Sequence, residues 1–344
     1  MKILVVGGGK MGLSHLAIAN QIAGVGNVAV CDANRVTRFL YSRLGIKAYK
    51  SVDDAKVGLG PQLKGVIIST PTPSHFLIAQ TFLDSNVPCF IEKPLTLSSS
   101  KSMELIEIAR RRNVYAQVGF VLRYVGTFSR LHELVKNGLL GKVRSYTARM
   151  NGNVITKPDN GSWRTNFAAG GGCLNEYGPH LIDLCRFIFG SVASVESAEK
   201  GHVHSTRADD RIAFKWVHDS GLKGDVKLDW CDTTKRKSVI GFDVDFEFAR
   251  VTGDNSALHF SFHEDCPLSQ DAKSAILAMN VPPRVSFYLR GEEYSLQLED
   301  FIGSCLKRDC RADHEFGLHN AAKLEDGMAV DKLIETISKK VGLQ

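Results

Sequence analysis

Short apolar runs alternate with longer amphipathic segments over about the first 120 residues of the chain. The runs have the length of strands, whereas apolar residues recur every three or four positions in the longer segments, as on one face of a helix. This alternation predicts a parallel sheet with crossover helices. The predicted strands are residues 2–6, 28–31, 65–69, 88–91 and 114–118, and the predicted helices lie near 11–22, 34–44, 74–85 and 98–112.

After Arg123 the pattern becomes typical of antiparallel strands. Apolar and acidic side chains alternate strictly over residues 242–248, which gives one dry face and one wet face. We therefore expect a second domain with a large open, mostly antiparallel sheet. Its predicted strands are residues 143–150, 192–200, 211–217, 224–230, 241–251, 258–263 and 284–290, with helices near 125–137, 175–189, 296–307 and 317–340.

The length and composition of the chain limit its class. A chain of 344 residues suits two domains, predicted at residues 1–122 and 123–316. Its net charge of +6 is mild, and the basic clusters at 110–112 and 235–237 lack the interleaved aromatic residues of a nucleic-acid groove. The eight cysteines form no C-x-x-C pair, and no run approaches the ~20 apolar residues of a membrane span. We therefore expect a cytoplasmic protein that binds neither nucleic acid nor membrane.

A glycine-rich turn follows the first predicted strand directly. Gly7, Gly9 and Gly12 have the spacing G-x-G-x-x-G, with Lys10 and Met11 between the last two. In a Rossmann fold the first glycine permits a tight turn, the second lets the backbone approach a pyrophosphate, and the third lets the helix pack closely. The helix N-terminus then offers free N–H groups to phosphate. The turn therefore predicts a dinucleotide-binding domain.

Asp32 ends the second predicted strand, twenty residues after Gly12. An acid at this spacing accepts hydrogen bonds from the ribose hydroxyls of NAD and repels the 2′-phosphate of NADP. Arg35 and Arg38 follow closely and would neutralise such a phosphate. The expected cofactor is NAD, with NADP as the alternative.

Lys93 lies at the carboxyl end of the predicted strand 88–91, within Glu92-Lys93-Pro94. Ligands of open parallel sheets bind at this edge, so Lys93 would face the nicotinamide. An alcohol dehydrogenation needs a proton acceptor or a strong hydrogen-bond partner at the hydroxyl oxygen, and Lys93 would fill either role. The alternative is a surface lysine in a turn fixed by Pro94.

A second polar group of residues follows the glycines at positions 170–172. Glu176, His180 and Asp183 would share one face of a helix that begins near Asn175. A carboxylate beside an imidazole suits acid–base chemistry. The alternative is a capped helix with a hydrogen-bonded histidine. No cysteine partner suggests a metal, so none is expected.

Together these segments resemble the glucose-fructose oxidoreductase, inositol dehydrogenase and rhizopine-catabolism (Gfo/Idh/MocA) family. The resemblance rests on the glycine turn, Thr70-Pro71-Thr72-x-x-His75, Glu92-Lys93-Pro94, Arg123, Gly138-x-x-Gly141, and Gly170-Gly171-Gly172 leading to Glu176-x-Gly178-x-His180-x-x-Asp183. It implies a Rossmann domain followed by an α/β domain, C-terminal helices at about 317–344 that pack back on the first domain, and homodimers or homotetramers built through the C-terminal sheet.

The resemblance also implies that Lys93 and His180 flank the substrate carbon, with Glu176 as a third catalytic residue. The family usually has Asp where this chain has Glu176, so the carboxylate here is on a longer arm. The expected cofactor-binding residues are Gly7, Gly9, Lys10, Met11, Gly12, Asp32, Arg35, Thr70, Pro71, His75, Glu92 and Lys93. The expected substrate-binding residues are Arg123, Tyr124, Trp163, Arg164, Tyr177 and Asp183.

The predicted function is NAD(P)-dependent hydride transfer between nicotinamide and a secondary hydroxyl or ketone of a sugar, cyclitol or nucleotide-sugar. The assignment of a sugar rests on the resemblance. Two alternatives stay open. One is a dehydrogenase or reductase of a non-sugar substrate such as a dihydrodiol or a bilin. The other is a non-catalytic dinucleotide-sensing protein, which the polar groups Lys93, Glu176 and His180 disfavour.

Overall fold

The computed structural model describes residues 1–158, 163–279, 288–306 and 320–343. The chain divides into two compact units, Met1–Tyr124 with Pro283–Asp331, and Val125–Pro282 with Lys332–Gln344. The first unit contains a six-stranded sheet and the second a seven-stranded sheet. The predicted α/β fold class is confirmed, with a Rossmann-like parallel sheet and a mostly antiparallel second sheet.

The sheet of the first unit is parallel throughout, with strand order β3-β2-β1-β4-β5-β6. Helices cover both faces of such a sheet, so its central strands are continuously apolar. Ile3, Val5, Val30, Ile67 and Phe90 accordingly lie in one buried cluster. The strands are β1 (Lys2–Val6), β2 (Val28–Cys31), β3 (Lys47–Tyr49), β4 (Leu63–Ile68), β5 (Cys89–Ile91) and β6 (Ala116–Val118), and the helices are α1 (Lys10–Ala23), α2 (Arg35–Arg43), α3 (Val52–Leu59), α4 (His75–Leu83) and α5 (Ser99–Arg112).

The sheet of the second unit has the order β13-β12-β11-β7-β10-β9-β8. Its neighbouring strands are antiparallel except for the parallel pair β7 and β10. Alternate residues of β9 are buried, as the period of a half-covered strand requires. The strands are β7 (Val143–Asn151), β8 (Val192–Gly201), β9 (Arg211–His218), β10 (Lys223–Asp229), β11 (Val239–Phe246), β12 (Ala249–Asp254) and β13 (Leu258–Phe262), and the helices are α6 (Gly126–Lys136), α7 (Cys173–Phe189) and α8 (Gln270–Ala278).

Two further helices follow, α9 (Glu292–Leu306) and α10 (Leu324–Val341). Helix α9 contributes Leu298, Phe301 and Ile302 to the core of the first unit. Helix α10 begins in the first unit, whereas its residues from Lys332 belong to the second. The predicted boundary between residues 316 and 317 lies outside the described residues, as do residues 284–287 of a predicted strand.

Several predicted elements are corrected by the structure. The strand predicted at 241–251 is two antiparallel strands, β11 and β12, because the chain reverses at Glu247 and Phe248. The backbone N–H groups of this turn bond to the carbonyl oxygens of Lys142 and Leu140, at 2.9 and 3.0 Å. No glycine or proline marks the reversal. The short elements β3, α3 and α8 were not predicted, and residues 288–290 lie outside any strand.

A buried hydrogen-bond network joins one end of the second sheet to the end of α7. Trp216 Nε1 donates to the Tyr146 hydroxyl at 2.7 Å, and this hydroxyl bonds to His218 Nε2, also at 2.7 Å. His218 Nδ1 lies 2.9 Å from the carbonyl oxygen of Gly190. With the tyrosine as donor, the imidazole is neutral and donates through Nδ1. Burial lowers the pKa of His218 from its ordinary value.

This network predicts a loss of stability in mild acid. The unfolded imidazole takes up a proton near pH 6.5. The folded protein resists protonation to lower pH, so the contribution of His218 to stability is present above about pH 6.5 and lost as the pH falls below it. We expect the urea midpoint of the wild type to fall more steeply between about pH 8 and 5.5 than that of His218→Gln. Equal slopes for the two proteins would contradict the prediction.

Candidate functional site

Two of the three glycines at the motif positions 7, 9 and 12 are required by the protein's own backbone. Gly7 has φ +96°, and a Cβ atom on it would lie 2.8 Å from the carbonyl oxygen of Ser69. A Cβ atom on Gly12 would overlap the carbonyl oxygen of Gly7. The turn is therefore closed on itself and against the end of β4, as the spacing predicts.

Gly9 is different, because nothing in the fold requires a glycine there. Its backbone is extended, with φ −72° and ψ −164°, and a Cβ atom would meet no atom of the described residues within 4 Å. Gly9 is the N-cap of α1, has no capping side chain, and is followed by no acidic residue in the first turn. A bare backbone and free N–H groups facing open space fit a pyrophosphate. The residues present therefore fit the dinucleotide that the motif predicts, with Lys10 and Met11 in the first helical turn.

Asp32 is fixed beside this turn. Its Oδ2 accepts from the backbone N–H of Gly8 at 2.6 Å, and its Oδ1 accepts from that of Asn34 at 2.7 Å. The Arg38 guanidinium bonds to the carbonyl oxygens of Asp32 and Ala33, at 2.8 and 2.7 Å. Arg35 is exposed. Two backbone hydrogen bonds thus fix the orientation of the Asp32 carboxylate at the end of β2.

The loop after β4 carries Thr70, Pro71 and His75. The His75 ring is 1% exposed. Its Nε2 lies 2.9 Å from the carbonyl oxygen of Thr70, and its Nδ1 lies 3.0 Å from that of Pro94. Burial lowers the pKa of His75, against the opposing effect of these backbone contacts. His75 therefore ties the Thr70 loop to the segment that follows Lys93.

Lys93 follows β5 at the carboxyl edge of the sheet, as predicted, and is half-buried. The Glu92 carboxylate accepts from the backbone N–H of Lys93 at 3.1 Å, through Oε2. Its Oε1 lies 2.7 Å from Nε2 of His15, a buried residue of α1 that the sequence analysis missed. The only sequence signal for His15 was a histidine on the apolar face of the helix, three residues after Gly12.

Arg123 and Tyr124 lie in a short turn within the first unit, and both are buried. The Arg123 guanidinium pairs with Asp326 of α10 at 3.3 Å. The Tyr124 hydroxyl donates to Asp300 of α9 at 2.7 Å. Both side chains therefore have internal partners, and their assignment to the substrate stays a prediction.

In the second unit, α7 carries Glu176, Tyr177, His180 and Asp183. Glu176 and His180 are half-buried and one helical turn apart, whereas Asp183 is 1% exposed. The Tyr177 hydroxyl bonds to Ser238 Oγ at 2.5 Å. The predicted shared face of Glu176 and His180 is thus present on a helix that begins at Cys173, two residues before the predicted start.

Trp163 and Arg164 lie against the beginning of α7. The backbone N–H of Gly172 donates to the carbonyl oxygen of Arg164 at 2.9 Å. A Cβ atom on Gly171 would overlap the carbonyl oxygens of Trp163 and Arg164. The Arg164 guanidinium lies 4.9 Å from the centre of the Trp163 ring, and both side chains are exposed. The glycines therefore bring an exposed aromatic ring and a cation to the start of α7.

Asp209 supplies the cap that Gly172 lacks. The side-chain Oδ2 of Asp209 accepts a hydrogen bond from the backbone N–H of Leu174 at 2.7 Å. Its backbone carbonyl oxygen accepts one from the backbone N–H of Cys173 at 2.9 Å. Burial raises the pKa of Asp209 to about 6, against the opposing effect of the Leu174 hydrogen bond. This distant capping residue was also missed from the sequence, because nothing local connects residue 209 to the helix.

Within the described residues, no cluster of three or more histidine, cysteine, aspartate or glutamate side chains is arranged to hold a metal ion. The same ranges contain no helix long and apolar enough to cross a membrane.

Family comparisons cover both units. Residues 1–120 match the model of the oxidoreductase family with an NAD-binding Rossmann fold, and residues 128–258 match that of the GFO/IDH/MocA C-terminal domain. These matches cover more than half of the 344 residues.

The rhizopine catabolism protein MocA of Rhizobium meliloti is 28% identical over 186 residues, which are 54% of this chain and 56% of MocA. Glucose-6-phosphate 3-dehydrogenase of Bacillus subtilis is 27% identical over 199 residues, 57% of this chain and 56% of that enzyme. The chain thus spans little more than half the length of these curated relatives. Among solved structures, levoglucosan dehydrogenase in complex with NADH and levoglucosan has a TM-score of 0.80 at 17% identity, with coverage of 99% of this chain and 97% of that one. This likeness shows a shared fold.

The contrast between Gly9 and Gly12 gives a direct test of whether the cofactor's pyrophosphate binds at the glycine turn. We expect Gly9→Ala to keep the thermal midpoint of the wild type, because the methyl group meets open space, but to weaken NADH binding at least tenfold, about 1.4 kcal/mol. Gly12→Ala should instead lower the thermal midpoint, because its methyl group overlaps backbone. Fluorescence titration with NADH and thermal denaturation measure the two effects. Unchanged NADH affinity in Gly9→Ala would show that the pyrophosphate does not approach this residue.

Proposed function

Because the chain belongs to the Gfo/Idh/MocA family of NAD-binding oxidoreductases, we propose that it is a dehydrogenase or reductase of a secondary hydroxyl on a sugar, cyclitol or nucleotide-sugar. One observation carries the proposal. The bare backbone of Gly9 after β1 and the Glu92-Lys93 pair after β5 lie at the same carboxyl edge of one parallel sheet. Cofactor and reacting groups meet at this edge in doubly wound sheets.

When bound, the nicotinamide accepts or donates the hydride at the substrate carbon. The protein must then stabilise or move the proton at the substrate oxygen. We assign this polar contact to Lys93, whose peptide is anchored by Glu92. An ammonium group donates a hydrogen bond that strengthens as negative charge develops on the oxygen.

The second assigned group is His180, which accepts the hydroxyl proton during oxidation. Imidazole titrates near neutral pH and suits this role. Glu176, one turn earlier on α7, orients the imidazole or binds substrate. Since it lies in the first turn of α7, its negative charge is also favoured by the helix dipole.

The substrate class is supported by the residues at the start of α7. Trp163 is 49% exposed and offers a flat apolar surface of the kind on which a sugar ring packs. Arg164, stacked on it, would bind an acidic or phosphorylated group. The name of the relative glucose-6-phosphate 3-dehydrogenase agrees with this class. For Arg123, Tyr124 and Asp183, each at most 5% exposed, we propose support of the site rather than direct contact.

We further propose a cytoplasmic homodimer or homotetramer formed through the second sheet. Helix α7 packs on β7, β9 and β10. Charged side chains line a cavity of about 560 Å³ on this sheet, among them Lys215, Asp225, Asp243 and Arg250. The seven cysteines in the described ranges are all free thiols, which agrees with a reducing compartment.

Two substitutions test the assignment, using substrates from a screen of polyols, aldoses, inositols and nucleotide-sugars followed by NADH absorbance. We expect Lys93→Met to lower kcat ~100-fold or more and His180→Asn to lower oxidation ~100- to 10,000-fold, the scale of a lost acid–base group. His180→Asn should also remove the acid limb of kcat/KM. NADH affinity should change less than threefold in both.

The matched control is Lys64→Met on β4, a half-buried lysine outside the proposed site, which should keep wild-type turnover. Near-normal kcat in Lys93→Met would show that Lys93 has no catalytic role and only forms part of a turn. If kcat/KM of His180→Asn still falls at acidic pH as in the wild type, another residue is the proton acceptor. Absence of turnover across the screen with either cofactor would contradict the proposed substrate class.

A further inference from the structure

A buried histidine and a partly buried carboxylate form a pair next to Lys93 in the chain fold. His15 is fully buried, and its Nε2 lies 2.7 Å from Oε1 of Glu92. The other oxygen of this carboxylate accepts from the backbone N–H of Lys93 at 3.1 Å. The contacts therefore run from the helix after the glycine turn, through one carboxylate, to the peptide of Lys93.

The direction of the first hydrogen bond follows from the surroundings of His15. Its ring packs edge-to-face on Phe90, with 5.5 Å between ring centres. Its Nδ1 is buried and has no hydrogen-bond partner among the described residues. The proton of a neutral imidazole is therefore on Nε2, where it is donated to Glu92.

Glu92 depends on this donor for its charge. Burial raises the pKa of Glu92, but its hydrogen bond and electrostatic interaction with His15, together with Lys93, outweigh burial and lower the pKa overall. Tyr294 of α9 also lies close enough to interact with this carboxylate. On the third side, a Cβ atom on Gly119 would lie 3.1 Å from Oε2 of Glu92. A carboxylate enclosed in this way takes up a proton when its donor is removed.

We propose that His15 is a positioning residue for the reaction: it orients the Glu92 carboxylate and keeps it ionised, and Glu92 in turn anchors the Lys93 peptide and places a negative charge beside the ammonium group. The inference rests on the proposed function, because the role of Lys93 is itself proposed there. His15 would thus influence the reaction through Glu92, although its side chain is fully buried.

The first test reads the titration of Lys93 in the ligand-free protein and needs no turnover. Lysines are dimethylated with ¹³C-formaldehyde, and the Lys93 signal is identified by its absence in Lys93→Met. In His15→Leu we expect the titration midpoint of this signal to move at least about 0.5 unit to lower pH, because a protonated Glu92 no longer stabilises the ammonium group. His15→Gln, which keeps an N–H donor for Glu92, should stay near the wild type. Glu92→Gln leaves His15 in place and should reproduce the shift.

The second test is a double-mutant cycle in the kinetics. We expect His15→Leu to lower kcat ~10- to 100-fold, with KM and NADH affinity within about threefold. In the Glu92→Gln background the same substitution should add less than about twofold, because the two residues act through one contact. Additive effects, or a Lys93 midpoint unchanged in both His15→Leu and Glu92→Gln, would make His15 a packing residue. These results would leave the proposed function intact, whereas full turnover in Lys93→Met would overturn that function independently of His15.

Discussion

The first unit depends on one close approach, between the helix that begins at Lys10 and the strand that ends at Val6. Gly12 packs so closely on Gly7 that no side chain fits between them. This contact sets the direction of α1, and with it the open space in front of Gly9 and the burial of His15 behind Glu92. The proposed cofactor site at Gly9 and the proposed support of Lys93 by His15 and Glu92 thus derive from the same backbone contact. A substitution at Gly12 would therefore be expected to disturb both.

In the second unit, the start of the helix that carries Glu176 and His180 is fixed by a side chain rather than by close backbone packing. The N-cap residue of helix α7 is Gly172, which has no capping side chain, and Asp209, from the segment before β9, supplies the missing acceptor to Leu174. Burial of this carboxylate raises its pKa to about 6, so the capping interaction is made at some cost in desolvation. The capping interaction fixes the residue at which α7 starts, and with it the positions of Glu176 and His180 in the first two turns.

The parts of the protein that were predictable from sequence are those that local chemistry determines. The glycine turn, Asp32 and the apolar strand before Lys93 were predicted correctly as elements of one parallel sheet, because turn geometry and strand polarity act over a few residues. His15 and Asp209 were missed because their importance arises from contacts 77 and 35 residues away, with Glu92 and Leu174. The turn at Glu247 was missed because its backbone groups bond to a distant segment rather than to a local turn residue.

The central claim is that the edge formed by Gly9 and Asp32 binds NAD and disfavours a 2′-phosphate. Calorimetric titration of the purified protein with NADH and with NADPH under identical conditions tests it most directly. The account predicts one NADH site per chain and at least tenfold weaker binding of NADPH, about 1.4 kcal/mol. In Asp32→Ala, NADH should lose affinity and the difference between the cofactors should shrink, because the carboxylate both binds the ribose hydroxyls and repels the phosphate. Binding of neither cofactor, or tighter binding of NADPH by the wild type, would contradict the account.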